Sequence, residues 1–380
     1  MRIYLDHNAT TPLRTEVVEG MTRVLHGVYG NPSSVHAEGR AARAELDSAR
    51  ERVASLLGVL ADEVLFTGGA TEANNTVLLG LLRESAPRHV VTSAVEHPSV
   101  EAPLEVLEAA GWRVTRVGVG REGRVDAGEV AAALATDTAL VSLIWANNET
   151  GIVQPVAEVA ERAREKGVPV HVDATQAVGK WPVDLRRIPV DLLSLSAHKF
   201  GGPKSVGCLV ARGGRDVAPL LHGGPQEKRR RGGTENVAGV VGLGLACELA
   251  ERELDARRRE YGALRDRLWE GISSKVPRVR RNGAVEHALP NTLNLEFEGA
   301  AGELLVQALD LEGVAVSAGA ACASGSIEPS HVLVAMGLDA RAARGSLRFS
   351  VGHGVDAGQI DHVLALLPEL VERARAAGDV

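Results

Sequence analysis

Lysine is scarce in this chain. Of 42 basic residues only six are lysine: Lys166, Lys180, Lys199, Lys204, Lys228 and Lys275. A bias toward arginine accounts for this, and it leaves a short set of candidates for any lysine chemistry. Cysteine is scarcer still, with Cys208, Cys247 and Cys322. An odd number at wide spacing excludes a disulfide framework and lacks the spacing of a zinc site. No apolar run approaches the roughly 20 residues that span a bilayer. The start, Met1-Arg-Ile-Tyr-Leu-Asp6, lacks the apolar stretch of a secretory signal. A cytoplasmic protein without membrane contact is therefore expected. The net charge of −7 offers no basic surface, so direct nucleic-acid binding is not expected either. Internal repeats and low-complexity linkers are missing.

What is present is a globular composition, 45% hydrophobic and 24% charged over 380 residues, too long for one hydrophobic core. From about residue 35 to 255 strand-like and helix-like segments alternate. The spacing of Ala42, Leu46, Ala49, Val53 and Leu56 predicts a helix over 35–59. Strands are expected over 63–66, 89–92, 112–119, 139–145, 168–172, 192–196 and 206–210, with helices such as 71–82 and 156–166 between them. This alternation predicts an α/β unit with a mostly parallel sheet covered by helices. A long helical stretch over 235–275 follows. Then come strands over 293–297, 314–317 and 347–351 and helices over 302–311 and 357–376, which read as a smaller α+β unit. One motif is a decoy. Gly118-Val-Gly120-Arg-Glu-Gly123 matches GxGxxG, but the strand before it alternates like an edge strand. No helix starts at its last glycine, so it reads as a turn and not as a dinucleotide site.

Several strand ends carry polar groups. Ser196-Ala-His198-Lys199 closes a buried strand, where a lysine is costly unless it is paired or reacting. Burial readily shifts a lysine's pKa, which suits covalent chemistry with a carbonyl. Taken alone, a lysine that reaches out of a strand end is the commoner case. Asp173, in His171-Val-Asp-Ala-Thr-Gln176, ends the preceding strand 26 residues upstream. A lysine and a carboxylate so disposed match the needs of pyridoxal phosphate (PLP), whose ring nitrogen requires an acidic partner. Phe66-Thr-Gly68-Gly69-Ala70-Thr71-Glu72 reads as strand, glycine turn and helix N-terminus, where backbone amides and the Thr71 hydroxyl can cradle a phosphate. Many such turns bind nothing. His97 in Glu96-His-Pro98 and Asn148 in Asn147-Asn-Glu149 end two further strands, and the convergence outweighs any one of them. The run Arg229-Arg-Arg-Gly-Gly-Thr234 is a looser phosphate candidate, since basic runs are usually solvated. Cys208 and Cys247 have apolar neighbours and read as inert core. Cys322 sits in Ser317-Ala-Gly-Ala-Ala-Cys-Ala-Ser-Gly-Ser326, a run of small residues that suits a reactive thiol able to travel about 20 Å. Arg348 can clamp a carboxylate.

Together these segments resemble the cysteine desulfurases, in the class V branch of the fold-type I PLP enzymes. The likeness runs through Tyr4-Leu-Asp-His-Asn8-Ala-Thr-Thr-Pro12, Gly30-Asn31-Pro-Ser-Ser34, 66–72, 96–98, 146–151, 171–176, 196–199, Gly232-Gly-Thr234 and 322–331. The long segment after Cys322 looks like the group I enzymes that supply iron–sulfur assembly and nitrogen fixation. The resemblance implies a fold-type I PLP transferase with a seven-stranded, mostly parallel sheet. Its large domain is expected over 14–255. Its small domain is expected over 1–13 and 256–380, with a mobile cysteine loop at about 317–330. It implies that Lys199 holds PLP and shuttles the Cα proton, that His97 stacks on the ring and assists proton transfer, and that Asp173 pairs with the ring nitrogen. Asn148 and Gln176 would hold the ring from the side. Ala70, Thr71, Ser196 and His198 would bind the phosphate, joined by Thr234 of the partner subunit in a homodimer. Asn31 and Arg348 would bind the carboxylate of L-cysteine. Cys322 would take the sulfur as a persulfide, leave L-alanine and pass sulfur to acceptors such as an iron–sulfur scaffold or a tRNA-thiolating enzyme. No permanent metal site is implied, and Cys322 is at most a transient cluster ligand. A selenocysteine lyase or aminotransferase of the same fold is the nearest alternative. The aminotransferase has no use for Cys322, and a non-catalytic platform no use for the Lys199, Asp173, His97 and Cys322 set. A nicotinamide oxidoreductase rests on the decoy alone. Two departures stand out. Gly68 replaces a serine common in relatives, and the chain ends at Val380 without the longer tail some members use to dock a scaffold.

Overall fold

The apolar runs of the first 250 residues fold as buried strands, most of them parallel. The computed structural model describes residues 2–83, 86, 88–318 and 328–377. Its strands are β1 (Ile3–Tyr4), β2 (Val64–Thr67), β3 (His89–Ser93), β4 (Arg113–Val117), β5 (Thr138–Ile144), β6 (Val170–Asp173), β7 (Leu192–Ser196), β8 (Gly207–Ala211), β9 (Val279–Arg281), β10 (Thr292–Phe297), β11 (Val314–Ala315), β12 (Ser317–Ala318) and β13 (Ser346–Ser350). The helices are α1 (Thr15–Gly27), α2 (Ala37–Leu57), α3 (Ala70–Gly80), α4 (Pro98–Ala109), α5 (Ala127–Ala133), α6 (Val156–Glu165), α7 (Val237–Lys275), α8 (Gly302–Leu311), α9 (His331–Ala335), α10 (Ala340–Arg344) and α11 (Ala357–Ala377).

Seven strands form one sheet in the order β2-β8-β7-β6-β5-β3-β4. The pairs from β7 through β4 are parallel, and β8 is antiparallel to both β7 and β2. The carboxyl ends of β2, β3, β5, β6 and β7 therefore reach one edge. Chain order reverses between β3 and β5, because β4 lies outside β3. Such a crevice at the carboxyl edge is where open α/β sheets take ligands. Successive strand residues alternate between two cores. Val91, Val141, Val172, Leu193 and Val210 face α2, α6 and α7, whereas Leu65, Val90, Leu140 and Leu209 face α3 and α4.

A third core lies under the sheet β12-β13-β10-β9, packed by α8, α11 and the second half of α7, with Ile3 and Leu5 from the chain start. Helix α7 spans the two regions. Val240, Leu243 and Ala246 belong to the first core and Tyr261, Leu264 and Leu268 to the third. The single strand expected over 314–317 is two. The chain changes partners at Val316, because β11 pairs with β1 and β12 with β13. Helices α1 and α4, which the periodicity does not announce, are also present. The decoy glycines form a turn, with Gly120 at φ 56° and Gly123 at φ 75°, and α5 starts only after its cap Asp126. No described helix is long and apolar enough to cross a membrane.

Helices α2 and α7 touch backbone to backbone at Gly244, where an added Cβ would lie 2.8 Å from Ala49 Cα. Gly262, further along α7, has nothing within 4 Å of the same position. Gly244→Ala is expected to destabilise the protein by about 1–3 kcal/mol through overpacking. Gly262→Ala is expected to stabilise it by about 0.5–1 kcal/mol through helix propensity. Denaturant unfolding of both variants checks the pair, and equal shifts would contradict the packing account.

Candidate active site at the carboxyl edge

Four adjacent strands deliver four of the expected residues to one edge. His97 follows β3, Asn148 follows β5, Asp173 ends β6 and Lys199 follows β7 in a 3-10 turn, Ala197–Lys199. Beyond β8, β2 runs into Gly68-Gly69 and the N-terminus of α3.

That N-terminus is an open anion cradle. Gly69 caps α3 at φ 140°, and no side chain accepts from the first amides of the helix. A Cβ on Gly69 would lie 3.6 Å from Ser196 Oγ, and one on Gly207 would lie 2.9 Å from Gly69 Cα. Glycine at both positions thus lets the turn approach β7 and β8 while leaving a gap beneath Ser196. Ala70 and Ser196 are buried and Thr71 is exposed. His198, half-buried beside them, has Nδ1 3.1 Å from Thr10 Oγ1. Burial, then the charges of Lys199, Lys204 and Lys180, push its pKa down to about 4. Arg231 pairs with Glu72 at 3.0 Å, and Glu72 also accepts from Gly68 N, so that arginine is engaged by the turn's own carboxylate. Thr234 is exposed nearby in sequence.

Asp173 is buried and, among the described residues, has no ion-pair partner. Its Oδ1 accepts from Thr175 N at 3.0 Å and its Oδ2 from Asn74 Nδ2 at 2.8 Å. The Asn74 amide also donates to Ser99 Oγ at 2.9 Å, and that hydroxyl lies 2.8 Å from His97 Nδ1. Because Ser99 N donates to the same Nδ1 at 3.0 Å, the ring proton is assigned to Nε2. Burial lowers the His97 pKa, with Asp173 opposing, so the ring is neutral at pH 7. Glu96 beside it is fully buried, and burial raises its carboxyl to about 8. Its Oε1 accepts from Ser93 Oγ at 2.5 Å and Ile144 N at 3.0 Å. Sequence reasoning missed Asn74. The available signal was a polar residue on the face of α3 that otherwise carries Ala70, Ala73, Val77 and Leu78.

Asn8 organises the other half of the site. Its backbone oxygen accepts from Lys199 Nζ at 2.8 Å and Gln176 Nε2 at 2.9 Å. Its Nδ2 donates to Asn148 O and Thr292 Oγ1, and its Oδ1 accepts from Asn291 and Lys180. Lys199 Nζ also donates to Ala9 O at 2.8 Å. The side-chain amide of Asn148 has no hydrogen-bond partner among the described residues. Arg348 is 1% exposed, pairs with Asp6 at 2.5 Å and donates to Asn148 O at 3.0 Å, and its Nε has no partner among the described residues. Asn31 is exposed, with Oδ1 accepting from Ser33 N, and no hydrogen bond among the described residues joins it to this group.

Cys322 lies outside the described residues, as does 319–327 of the expected cysteine loop. The flanks are described. Ser317 pairs with Arg348 across β12 and β13. Downstream, Ser330 donates to Glu149 at 2.6 Å and His331 Nε2 lies 2.9 Å from Glu96 O. The chain thus leaves beside Arg348 and returns beside His97 and Asn148. Cys208 and Cys247 are buried in the first core, and burial pushes Cys208 up to about 12 and Cys247 well above the ordinary range. Neither is a nucleophile at neutral pH.

The residues present fit PLP. An uncapped helix N-terminus with a facing hydroxyl suits its phosphate, an unpaired buried carboxylate suits a protonated ring nitrogen, and the Asn148 amide is unspent. A family model for class-V aminotransferases matches residues 3–363. The cysteine desulfurase IscS of Dictyoglomus turgidum is 44% identical over 98% of this chain and 95% of its own. A cysteine desulfurase of Cereibacter sphaeroides is 48% identical over 99% and 97%. Among solved structures, a NifS-like protein superposes with a TM-score of 0.92 at 37% identity, covering 98% of this chain and all of that one. DndA from Streptomyces lividans gives 0.78 at 40% identity, covering 90% and 97%. The chain belongs to the class-V aminotransferase family and, within it, to the PLP-dependent cysteine desulfurases.

Proposed function

We propose that this protein removes sulfur from L-cysteine, leaving L-alanine and a persulfide on Cys322. The observation that carries the reading is the convergence of His97, Asn148, Asp173 and Lys199 on one sheet edge beside an open phosphate cradle. The return of the Cys322 segment to that edge supports it. So does the likeness to SspA in complex with cysteine, at 34% identity and a TM-score of 0.82.

PLP, when bound, would supply an electron sink for the substrate Cα. Lys199 would hold the cofactor and move the Cα proton. Asp173 would keep the ring nitrogen protonated, and Asn74 holds Asp173 in place. His97, with its proton on Nε2, would assist at the ring. Asn148 and Gln176 would hold the ring. Ala70, Thr71, Ser196 and His198 would hold the phosphate. Arg348 and Asn31 take the substrate carboxylate, for which Arg348 must exchange contacts with Asp6. The Cys322 thiolate attacks the substrate sulfur, the carbon–sulfur bond breaks, and its electron pair stays with carbon. Alanine is cysteine less one sulfur, and the proton of the substrate thiol balances the one gained at Cβ, so no outside reductant is needed until the persulfide is discharged.

The units 14–255 and 1–13 with 256–380 act as large and small domains, with the site between them. A homodimer is proposed, in which Thr234 reaches the partner's phosphate site. The exposed apolar Leu25, Tyr29 (82%) and Val35 (88%) around Asn31 support such a contact. The enzyme is placed in the cytoplasm, handing sulfur to protein acceptors such as an iron–sulfur scaffold or a tRNA-thiolating enzyme.

Three outcomes test this. Wild-type enzyme with PLP and a thiol reductant releases alanine and sulfide from L-cysteine, whereas Cys322→Ala keeps its PLP and releases neither. Turnover by that variant at the wild-type rate removes Cys322 from the mechanism. His97→Ala retains the cofactor but forms alanine more slowly by on the order of 10²–10⁴-fold, the usual share of a general acid–base group. Sedimentation gives a dimer mass, and Tyr29→Glu with Val35→Glu shifts it toward monomer; a monomeric wild type contradicts the shared site.

A further inference from the structure

The hydrogen bonds between Asp173 and His97 form a chain that can run in one direction only. Fully buried Asn74 donates through Nδ2 to Asp173 Oδ2 at 2.8 Å and to Ser99 Oγ at 2.9 Å. Its Oδ1 has no partner among the described residues. Turned over, the amide would set its oxygen against the acceptor-only carboxylate and leave both N–H bonds unmet, so Asp173 decides which way Asn74 faces. Ser99 Oγ accepts one of those N–H bonds and has a single proton of its own to give. His97 Nδ1, 2.8 Å away, is the acceptor it meets.

The start of α4 brings a second donor to the same nitrogen. His97 is the N-cap of this 12-residue helix, and its Nδ1 accepts from Ser99 N at 3.0 Å. One serine thus offers both its amide and its hydroxyl to Nδ1. A proton on Nδ1 would lose both contacts and would stand at the positive end of the helix. The ring proton therefore stays on Nε2, which has no hydrogen-bond partner among the described residues. The titratable and charged groups that face the ring are Asp173 from β6, Lys199 from the 3-10 turn and His331 from α9, with buried Glu96 next to it in the chain. Burial is the largest influence and lowers the ring's pKa; Asp173 opposes it, and Lys199 and His331 act with it.

We propose that Ser99 is a positioning residue, which carries the orientation imposed by Asp173 through Asn74 to His97 and holds that ring as a neutral donor with its proton on Nε2, the nitrogen turned away from α4. A neutral imidazole at a helix N-terminus acts on reacting atoms as a hydrogen-bond donor. This specifies the assistance ascribed to His97 above, and it rests on the place of His97 in the desulfurase site. Any residue at position 99 with an N–H could cap His97 through its backbone. The hydroxyl is what joins His97 to Asp173, so that the group over the cofactor ring and the group at its nitrogen are set by one chain of hydrogen bonds.

The test is ring-nitrogen NMR of holoenzymes carrying isotope-labelled histidine, with the signals lost in His97→Gln identifying His97. In the wild type Nδ1 resonates as a bare nitrogen and Nε2 as a protonated one; a protonated Nδ1 overturns the proposal even if no variant folds. Ser99→Ala removes one of the two donors to Nδ1, so the His97 titration midpoint rises by about half a unit to one unit. Ser99→Thr keeps the hydroxyl and the wild-type midpoint. An unmoved midpoint in Ser99→Ala, or a Thr variant that moves with it, overturns the role of the hydroxyl. The second readout is the rate of alanine formation by Ser99→Ala divided by that of the wild type. The ratio is constant above the variant's His97 midpoint and falls by about 3- to 10-fold below it, because the variant loses its neutral ring first. A ratio that is flat while the midpoint moves leaves Ser99 a structural cap and overturns its part in the reaction. Failure of the wild type to release alanine overturns the desulfurase reading instead, and the NMR result stands apart from it.

Discussion

Parallel pairing is the constraint on which the rest of this molecule depends. A parallel strand cannot return by a tight turn, so each crossover must travel back across the sheet before the next strand begins, along a helix after β3, β4 and β5 and as turns and coil over 174–191 after β6. The carboxyl ends of the parallel strands consequently reach one edge, where the backbone leaves the sheet and side chains are free to point into the crevice. His97, Asn148, Asp173 and Lys199 come from β3, β5, β6 and β7, spread over about a hundred residues of chain, yet the order β3-β5-β6-β7 sets them side by side. The inverted β8 leaves the glycine turn after β2 at the same edge and contributes Gly207, whose missing side chain admits Gly69.

A crevice of this kind buries polar groups, and those groups must find partners. Asn8 does this for half of the site. Its amide, carbonyl and side chain together bind Ser350, Lys199, Gln176, Asn148, Thr292, Asn291 and Lys180. One residue near the chain start thereby ties the seven-stranded sheet to β10 and β13. Asn74 does the same between Asp173 and Ser99. Two groups without partners among the described residues, the Asn148 amide and Arg348 Nε, are those proposed to meet cofactor and substrate. Among the described residues, His7 Nδ1, Asn74 Oδ1, Glu96 Oε2 and Thr175 Oγ1 also lack partners, so unmet hydrogen-bonding capacity is spread along the crevice.

Much of this was legible in the sequence. The apolar runs of β5, β7 and β10 mark buried strands by length alone, and α8 and α11 follow from helical spacing. The motifs around Gly69, His97, Asp173 and Lys199 identify strand ends, because polar residues directly after apolar runs have few other places to go. The break between β11 and β12 was not legible. A four-residue apolar stretch does not say that its halves pair with different strands. Helix α4 was hidden by Pro98, at the first turn where a helix tolerates proline, and by Pro103 in its interior, which together blur any periodic pattern. Arg348 reads as a carboxylate clamp, but its burial beside Asp6 depends on a contact spanning 342 residues.

By itself the sequence determined the chemical inventory: a scarce lysine and an aspartate at strand ends, a glycine turn before a helix, and a cysteine among small residues. Local preferences suffice for that, since each motif lies within a dozen residues. Only the tertiary structure decided which of these groups share a neighbour. Asn74 between Asp173 and Ser99, and Asn8 between Lys199 and Lys180, are pairings of residues up to 191 positions apart. They are imposed by the need to satisfy buried polar atoms in one folded crevice, and no local pattern encodes that need.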